Sequence, residues 1–411
     1  LPAETGEAGG AIMAGAAILI AAQSGRALAE AARRAGLRPF VADLFADSDT
    51  LELAAAHRPL EGRFGTGRLA ETVLAHLDAL SAMAGGAPLG VVLGSGFEAA
   101  PALIAAIARR HRLVGAGAET VSALKDPLRF AALCATLAIP HPAVTRARLD
   151  DPKAWLLKRA GGSGGSHIRA ATSGPAPAGA YFQARVPGRA FALNILADAS
   201  GARILALTEQ WSAPSLLRPF RYAGALAPGR RETSALPDAI VAAVAEAADE
   251  LVRATGLRGL ASVDFLSDGE AWWLTEINPR PGATLDVLDR RGVPLLHAHV
   301  EACLDHAPEI GPAPEDAAAS QICYAARDHA VVPAVAWPDH VRDRPRAGTR
   351  VMRDAPLCTV LAGGPDGPAA RQELGTRIAS LRDRLSEEET HEHQPAEPER
   401  HRDAPGGALR R

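Results

Sequence analysis

Aromatic and sulfur-containing side chains are scarce in this chain: nine Phe, five Trp, three Tyr, four Cys and three Met among 411 residues. The hydrophobic fraction still reaches 47%, much of it Ala, so a sizeable core is within reach and must use mainly small and aliphatic groups. Ala-rich, Arg-over-Lys usage reads as the stamp of a GC-rich genome and carries no functional message. Cys134, Cys303, Cys323 and Cys358 lack CxxC or metal-type spacing, which speaks against a thiolate metal site and predicts free thiols in a cytoplasmic protein. Neither sign of charge dominates: a net charge of −3 gives no general attraction to nucleic acid or to an anionic membrane. Long apolar runs are missing too. GGAIMAGAAILIAAQSG lacks the basic flank of a secretory signal and passes directly into ALAEAARRAG, which predicts a disordered leader over 1–15 followed by a buried strand.

What is present first is an alternation of short apolar runs with helical segments. AILIAA (17–22), RPFVADL (38–44), PLGVVLG (88–94) and HRLVGAG (111–117) read as strands, with helices over 27–36, 69–83 and 100–110. That pattern predicts a parallel α/β domain over 16–118, whose ligands gather beyond the carboxyl ends of its strands. The loops QSGR (23–26) and GSGFE (94–98) hold that position, so Arg26 and Glu98 are candidate substrate contacts, although both loops also read as plain tight turns. A second region, 119–310, opens with a helix capped by Asp126, with Pro127 in its first turn and Pro140 as its stop. Strands joined by Gly-rich turns, an amphipathic helix over 237–256 and a hairpin follow, which predicts an α+β domain. Residues 311–363 read as a small β-rich module, and the charged stretch 364–411 as a disordered tail. The fold class expected is α/β plus α+β.

The hairpin ASVDFLSDGEAWWLTEINPRPG carries polar groups where buried strands disfavour them. Glu276 and Asn278 alternate and so share a face. The turn decides whether Asp264 joins them. A two-residue Asp268-Gly269 turn pairs Asp264 with Trp273, whereas an odd-length loop centred on Glu270 pairs Asp264 with Glu276. In the second register two carboxylates face each other and call for a cation, and hard oxygen donors with room for water suit Mg²⁺ held jointly with phosphates. Asn278-Pro279-Arg280-Pro281-Gly282 then presents Arg280 beside that cation, where a developing phosphoryl or acyl-phosphate anion would need it. In AWLLKRAGGSGGSHIRA, Lys158 precedes Gly161, Gly162, Ser163, Gly164 and Gly165; this is no Walker A loop, because no Gly-Lys-Ser/Thr follows the glycines. A loop rich in open N–H groups could still fold over phosphates, with Lys158 and Lys125 as candidate cations.

Lys125, Lys158 with GGSGGS, the hinge-like YFQARVPG (181–188), SVDF and TEINPRPG resemble, in order and spacing, the ATP-grasp superfamily, and most closely its ATP-dependent carboligases related to biotin carboxylase. The resemblance covers roughly residues 15–360. It implies a two-lobed α+β core binding ATP, with Lys125 and Lys158 on the phosphates and the Gly-rich loop as a lid. Gln183, Arg185 and Val186 would receive adenine, largely through the backbone of the last two. Asp264, Glu276 and Asn278 would hold Mg²⁺, or Mn²⁺ in its place, and Arg280 would steady an acyl phosphate. Arg189 and Ala190 stand where a ribose-binding carboxylate is usual, so no ribose contact is assigned. The implied activity is carboxylate–amine ligation on a small metabolite, cofactor biosynthesis being one setting, with a small carboxylate and a small amine as partners and a homo-oligomer left open. Biotin-type carboxylation is an alternative, although Met13, Met83 and Met352 are isolated and form no biotinyl Met-Lys-Met; a nucleotide-binding module without turnover is another, which could dispense with Glu276 or Asn278.

Overall fold

Runs that are apolar on both faces must be covered on both faces, and the N-terminal layer is built on that rule. A computed structural model describes residues 14–62, 64, 67–328 and 332–392. Its first part runs β1 (Ala17–Ala21), α1 (Arg26–Arg34), β2 (Arg38–Asp43), α2 (Ser48–Leu53), β3 (Ala56–Pro59), α3 (Gly67–Met83), β4 (Val91–Leu93) and α4 (Pro101–Ala108). The four strands form a parallel sheet in the order β3-β2-β1-β4. Every residue of β1 is buried, and the turns after β1 and β4 open beyond the carboxyl ends of those strands, as expected. The strand expected over 111–117 shrinks to one bridge between Val91 and Leu113, because Gly115, at φ +148, ends the run.

Two short helices, α5 (Ala118–Lys125) and α6 (Pro127–Thr136), lead out of this layer. Asp126 Oδ1 accepts the backbone N–H groups of Leu128 and Arg129 at 3.0 and 2.9 Å, and Pro127 starts α6. The residue before a proline avoids the helical region, so α5 must stop at Lys125. A small antiparallel sheet follows, made of β5 (Val144–Thr145), β6 (Trp155–Arg159), β7 (Arg169–Ala170) and β8 (Ala180–Ala184), in the order β5-β8-β6-β7.

The large sheet begins at β9 (Arg189–Asp198), β10 (Gly201–Ser212) and β11 (Tyr222–Ala227), and after α7 (Asp238–Thr255) continues with β12 (Gly259–Ser267) and β13 (Trp272–Asn278). The helices α8 (Leu285–Leu288) and α9 (Leu295–Cys303) precede β14 (Ala317–Tyr324), β15 (Val341–Arg342) and β16 (Pro356–Gly364). Eight strands lie in the antiparallel order β13-β12-β9-β10-β11-β14-β16-β15. The strands expected as a separate C-terminal module thus extend this sheet: β11 offers an edge of unpaired backbone groups, and β14 pairs with it from Gly224↔Gln321 to Ala227↔Ala318.

The tail needs a correction. Instead of being disordered from 364, the chain forms α10 (Gly367–Glu392), which buries Ala370, Leu374, Ile378 and Leu381 in a cluster with β14 and β16. Those positions form one stripe at helical spacing, enough to dock a helix whose remaining faces are charged. Residues 393–411 and the leader 1–13 lie outside the described residues. Among the described residues no helix is long and apolar enough to cross a membrane.

Candidate functional site

The register of the β12–β13 hairpin is set by a bulge. Four residues, 268–271, close the turn: Asp268 Oδ1 accepts the N–H groups of Glu270 and Ala271 at 3.0 and 2.8 Å, and Ser267 pairs with Trp272. Phe265 pairs with Leu274, but the next pair is Asp264 with Glu276, so Thr275 is the extra residue of a β-bulge. Its hydroxyl donates to Asp264 O at 2.9 Å. The expected Asp264–Glu276 pairing is present, yet the odd-length loop expected to create it is not. Without the bulge this turn would pair Asp264 with Thr275 and send Glu276 to the other face. With it, Ser262, Asp264, Glu276 and Asn278 share one face, while Val263, Phe265, Leu274 and Ile277 are buried on the other.

The polar face is knitted together by Asn278, whose Nδ2 donates to Asp264 Oδ2 at 2.8 Å and to Ser262 Oγ at 3.3 Å. Its Oδ1 accepts from Lys125 Nζ at 2.9 Å, and the same ammonium donates to Glu276 Oε2 at 3.1 Å. Lys125 thus already holds Glu276 and Asn278, and it lines a small pocket with Gly161 and Gly162 rather than the main cavity. Burial and the facing Glu276 carboxylate push Asp264 up to about 7. Burial presses Glu276 the same way, but the ammonium groups of Lys125 and Lys158 overcome it and hold Glu276 at about 2. Asp264 Oδ1 is buried without a hydrogen-bond partner. An orphaned carboxylate oxygen opposite a second carboxylate fits a divalent cation, with Asp264 and Glu276 as the residues that could hold it and Asn278, whose Oδ1 is here taken by Lys125, as a third. Among the described residues there is no group of three or more His, Cys, Asp or Glu for a metal, so phosphates and water would have to complete its shell.

Lys158, on β6, is 6% exposed and donates from Nζ to Gln183 Oε1, 3.0 Å away on β8. Burial lowers its pKa, while Glu276 opposes the loss of its charge. The Gly-rich loop after β6 takes conformations that favour glycine, with Gly161, Gly164 and Gly165 at φ +68, +63 and +67. It runs close to two other parts of the molecule. A Cβ on Gly161 would meet Ala99 Cα at 2.5 Å, one on Gly165 would meet Phe220 O at 2.0 Å, and Tyr222 N donates to Gly164 O at 2.8 Å.

Loop, hinge and hairpin face enclose one cavity of about 1300 Å³, whose walls include Lys158, Gln183, Val186, Asp264, Glu276 and Arg280. At the hinge the N–H of Arg185 is given to Ala154 O at 2.8 Å, so a ligand contact through the Arg185 backbone is left to its carbonyl. Arg280 donates from Nε to Glu98 Oε1, while Glu98 Oε2 accepts Gly96 N at 2.7 Å. Burial would raise the Glu98 carboxyl, but Arg280 and Lys125 hold it below its usual value. Arg26, a candidate substrate contact, is instead consumed internally: its guanidinium donates to Glu30, Asp286 and Asp343. Sequence reasoning missed Ser262, although its alternation with Asp264 was there to read, and also the bulge at Thr275, which leaves no signal.

Residues 128–284 match the ATP-grasp domain family model, and the chain carries an ATP-grasp domain. No curated protein matches the chain. Among solved structures, biotin carboxylase from Campylobacter jejuni in complex with βγ-ATP is similar at TM-score 0.65 and 13% identity, covering 87% of this chain and 89% of that one. The biotin carboxylase domain of Hydrogenobacter thermophilus 2-oxoglutarate carboxylase, a dimer with MgADP, ADP and bicarbonate, gives TM-score 0.64 and 12% identity, with 85% and 86% covered. Phosphoribosylglycinamide synthetase from Anaerococcus prevotii gives TM-score 0.62 and 11% identity, with 89% and 98% covered. At such identities the likeness is one of fold, and it extends over most of the chain.

Proposed function

We propose that this protein is an ATP-dependent ligase that joins a small carboxylate to a small amine through an acyl phosphate. One observation carries the reading: the bulged hairpin brings Asp264, Glu276 and Asn278 to one face of the same cavity that Lys158 and the Gly-rich loop enter. A carboxylate cannot expel oxide, so it needs activation; the γ-phosphoryl group of ATP moves to it, ADP leaves, and the amine then displaces phosphate. Mg²⁺, when bound, neutralises phosphate charge next to that carboxylate pair. Lys158 supplies a second, buried positive charge, and Arg280 is positioned to receive developing negative charge. The loop 161–165 excludes water and so protects the acyl phosphate from hydrolysis. Gln183, Arg185 and Val186 line the adenine end, with Val186 N–H and Arg185 C=O as the backbone groups.

The test is phosphate release from Mg·ATP with pools of acids and amines. Glu276→Ala is expected to lower it at least about a hundredfold with the fold retained by circular dichroism, since catalytic charge-stabilising groups are worth about that much. Unchanged turnover in that variant would refute the assignment. Fold similarity to biotin carboxylases favours a second reading, bicarbonate activation. Bicarbonate-dependent ADP release that needs no amine would support it instead.

A further inference from the structure

The cavity extends well past the hairpin. It continues to the carboxyl ends of β1 and β2, where Gln23, Ser24, Phe45 and Asp47 form its wall, and it borders Asp286 and Asp343. At about 1300 Å³ it exceeds the few hundred to about 1000 Å³ of a typical small-molecule site, so there is room beyond a nucleotide. This far end and the residues packed behind it are acidic, and nearly every carboxylate there is matched from within the protein. Asp43 accepts Gly25 N, Ala46 N and His57 Nε2; Asp49 accepts the N–H groups of Asp343 and Arg344. Asp286 and Asp343 chelate Arg26, Asp343 also takes Thr359 Oγ1 at 2.6 Å, and Glu30 takes Arg26 and Arg342.

Asp47 is the exception. It is 8% exposed, it borders the cavity, and among the described residues its carboxylate has neither a hydrogen bond nor an ion pair. It directly precedes α2, yet its side chain takes none of that helix's N–H groups. Burial and the charges of Asp343, Asp43 and Asp49 push its carboxyl up to about 8. Left without a partner the group keeps its proton near neutral pH, and a cation entering the cavity beside it would return it to the carboxylate form, so what fills the cavity is where its partner is to be sought. Arg26, the guanidinium whose charge acts on Asp47, is already committed to Asp286 and Asp343, so it does not serve as that partner.

We propose that Asp47 binds the ammonium group of the substrate, so that the second substrate is an amine-bearing small molecule of the amino-acid or diamine class, seated at the far end of the cavity against the parallel sheet. The assignment rests on the ligase reading for its place in the reaction, but not for its binding. A compound carrying an ammonium group favours the ionised form of Asp47 and pairs with it; a neutral or anionic counterpart of the same size does not.

The test uses the full chain with Mg²⁺ and a non-hydrolysable ATP analogue. Binding of the standard amino acids, putrescine and cadaverine is measured by calorimetry against the fully N-acetylated form of each, which carries no ammonium group. Some ammonium compounds bind and their acetylated forms do not, and Asp47→Asn weakens that binding at least about tenfold, the loss expected for one charge-assisted contact. Calorimetry of the ATP analogue on the same variant reports that it is folded, and the exposed Asp150→Asn serves as a control with unchanged affinity. Equal binding by Asp47→Asn, equal binding of acetylated forms, or no ammonium compound binding to the folded wild type each overturns the proposal. Amine binding through Asp47 without phosphate release would leave this subsite standing and remove the ligase reading. Turnover whose amine KM ignores Asp47→Asn would do the reverse.

Discussion

Lys158 shows how one side chain can be tuned for something the protein itself does not contain. Its ammonium is buried and meets one neutral partner, Gln183 Oε1, rather than a carboxylate of its own. A buried charge so weakly compensated costs stability, and under the proposed function its return is affinity for an anion. Lys158→Met, close in length and apolar, is therefore expected to stay within about 2 kcal/mol of wild type in urea unfolding, since one lost cation is offset by one unpaired amide oxygen. Mg·ATP turnover should fall at least about a hundredfold in the same variant. A large loss of stability would make Lys158 a structural residue. Lys125 behaves differently: it already has Glu276 and Asn278, partners about 150 positions away in the chain, and nothing in the sequence around it announces them.

At the level of elements, His299 on α9 joins two layers. Its Nδ1 accepts Leu260 N at 2.8 Å, so its proton sits on Nε2 and points at Val114 O, 3.1 Å away. Burial lowers its pKa from 6.5 to about 4. Because the unfolded chain binds this proton more readily, the contribution to stability is complete above pH 6.5 and is lost as pH falls toward 4, by roughly 3 kcal/mol. Thermal unfolding should show that loss on acidification, and His299→Gln should flatten the slope. A second prediction concerns α10: Leu374→Ala should cost about 2–4 kcal/mol by the same measurement, whereas a disordered segment would lose nothing.

These elements also show what the sequence revealed. The β12–β13 polar face was legible because Asp264, Glu276 and Asn278 break apolar runs, and the parallel layer because its strands are uniformly apolar. The bulge was not, because register depends on the turn and on Thr275, whose own side chain gives no hint. The α10 stripe was hidden by a composition dominated by charge, and the setting of Asp47 by like charges that arrive from residues 43, 49 and 343.

On the scale of the whole molecule, one cavity is shared by the parallel layer, the small sheet and the large sheet, and the Gly-rich loop touches the first and last of them. Gly165→Ala would set a Cβ 2.0 Å from Phe220 O at φ +67, so the loop would have to leave that position. The variant should bind Mg·ATP more weakly, by about tenfold for a cost of about 1.4 kcal/mol, and its loop should be cut faster by protease in the presence of nucleotide. Equal cleavage in both proteins would detach the loop from nucleotide binding.

Arg26 carries a mechanical consequence. It sits at the start of α1, 2% exposed, and grips Asp286 and Asp343, which follow β13 and β15 at opposite borders of the eight-stranded sheet. Prising such a clamp open strands charge in a dry interior at about 3–5 kcal/mol, which locks the amino-terminal third onto the sheet as a single chassis. On the proposed function, a gate that admits nucleotide would swing on the other side, where the four short strands that include β6 with Lys158 hang from the segment between Ala184 and Arg189.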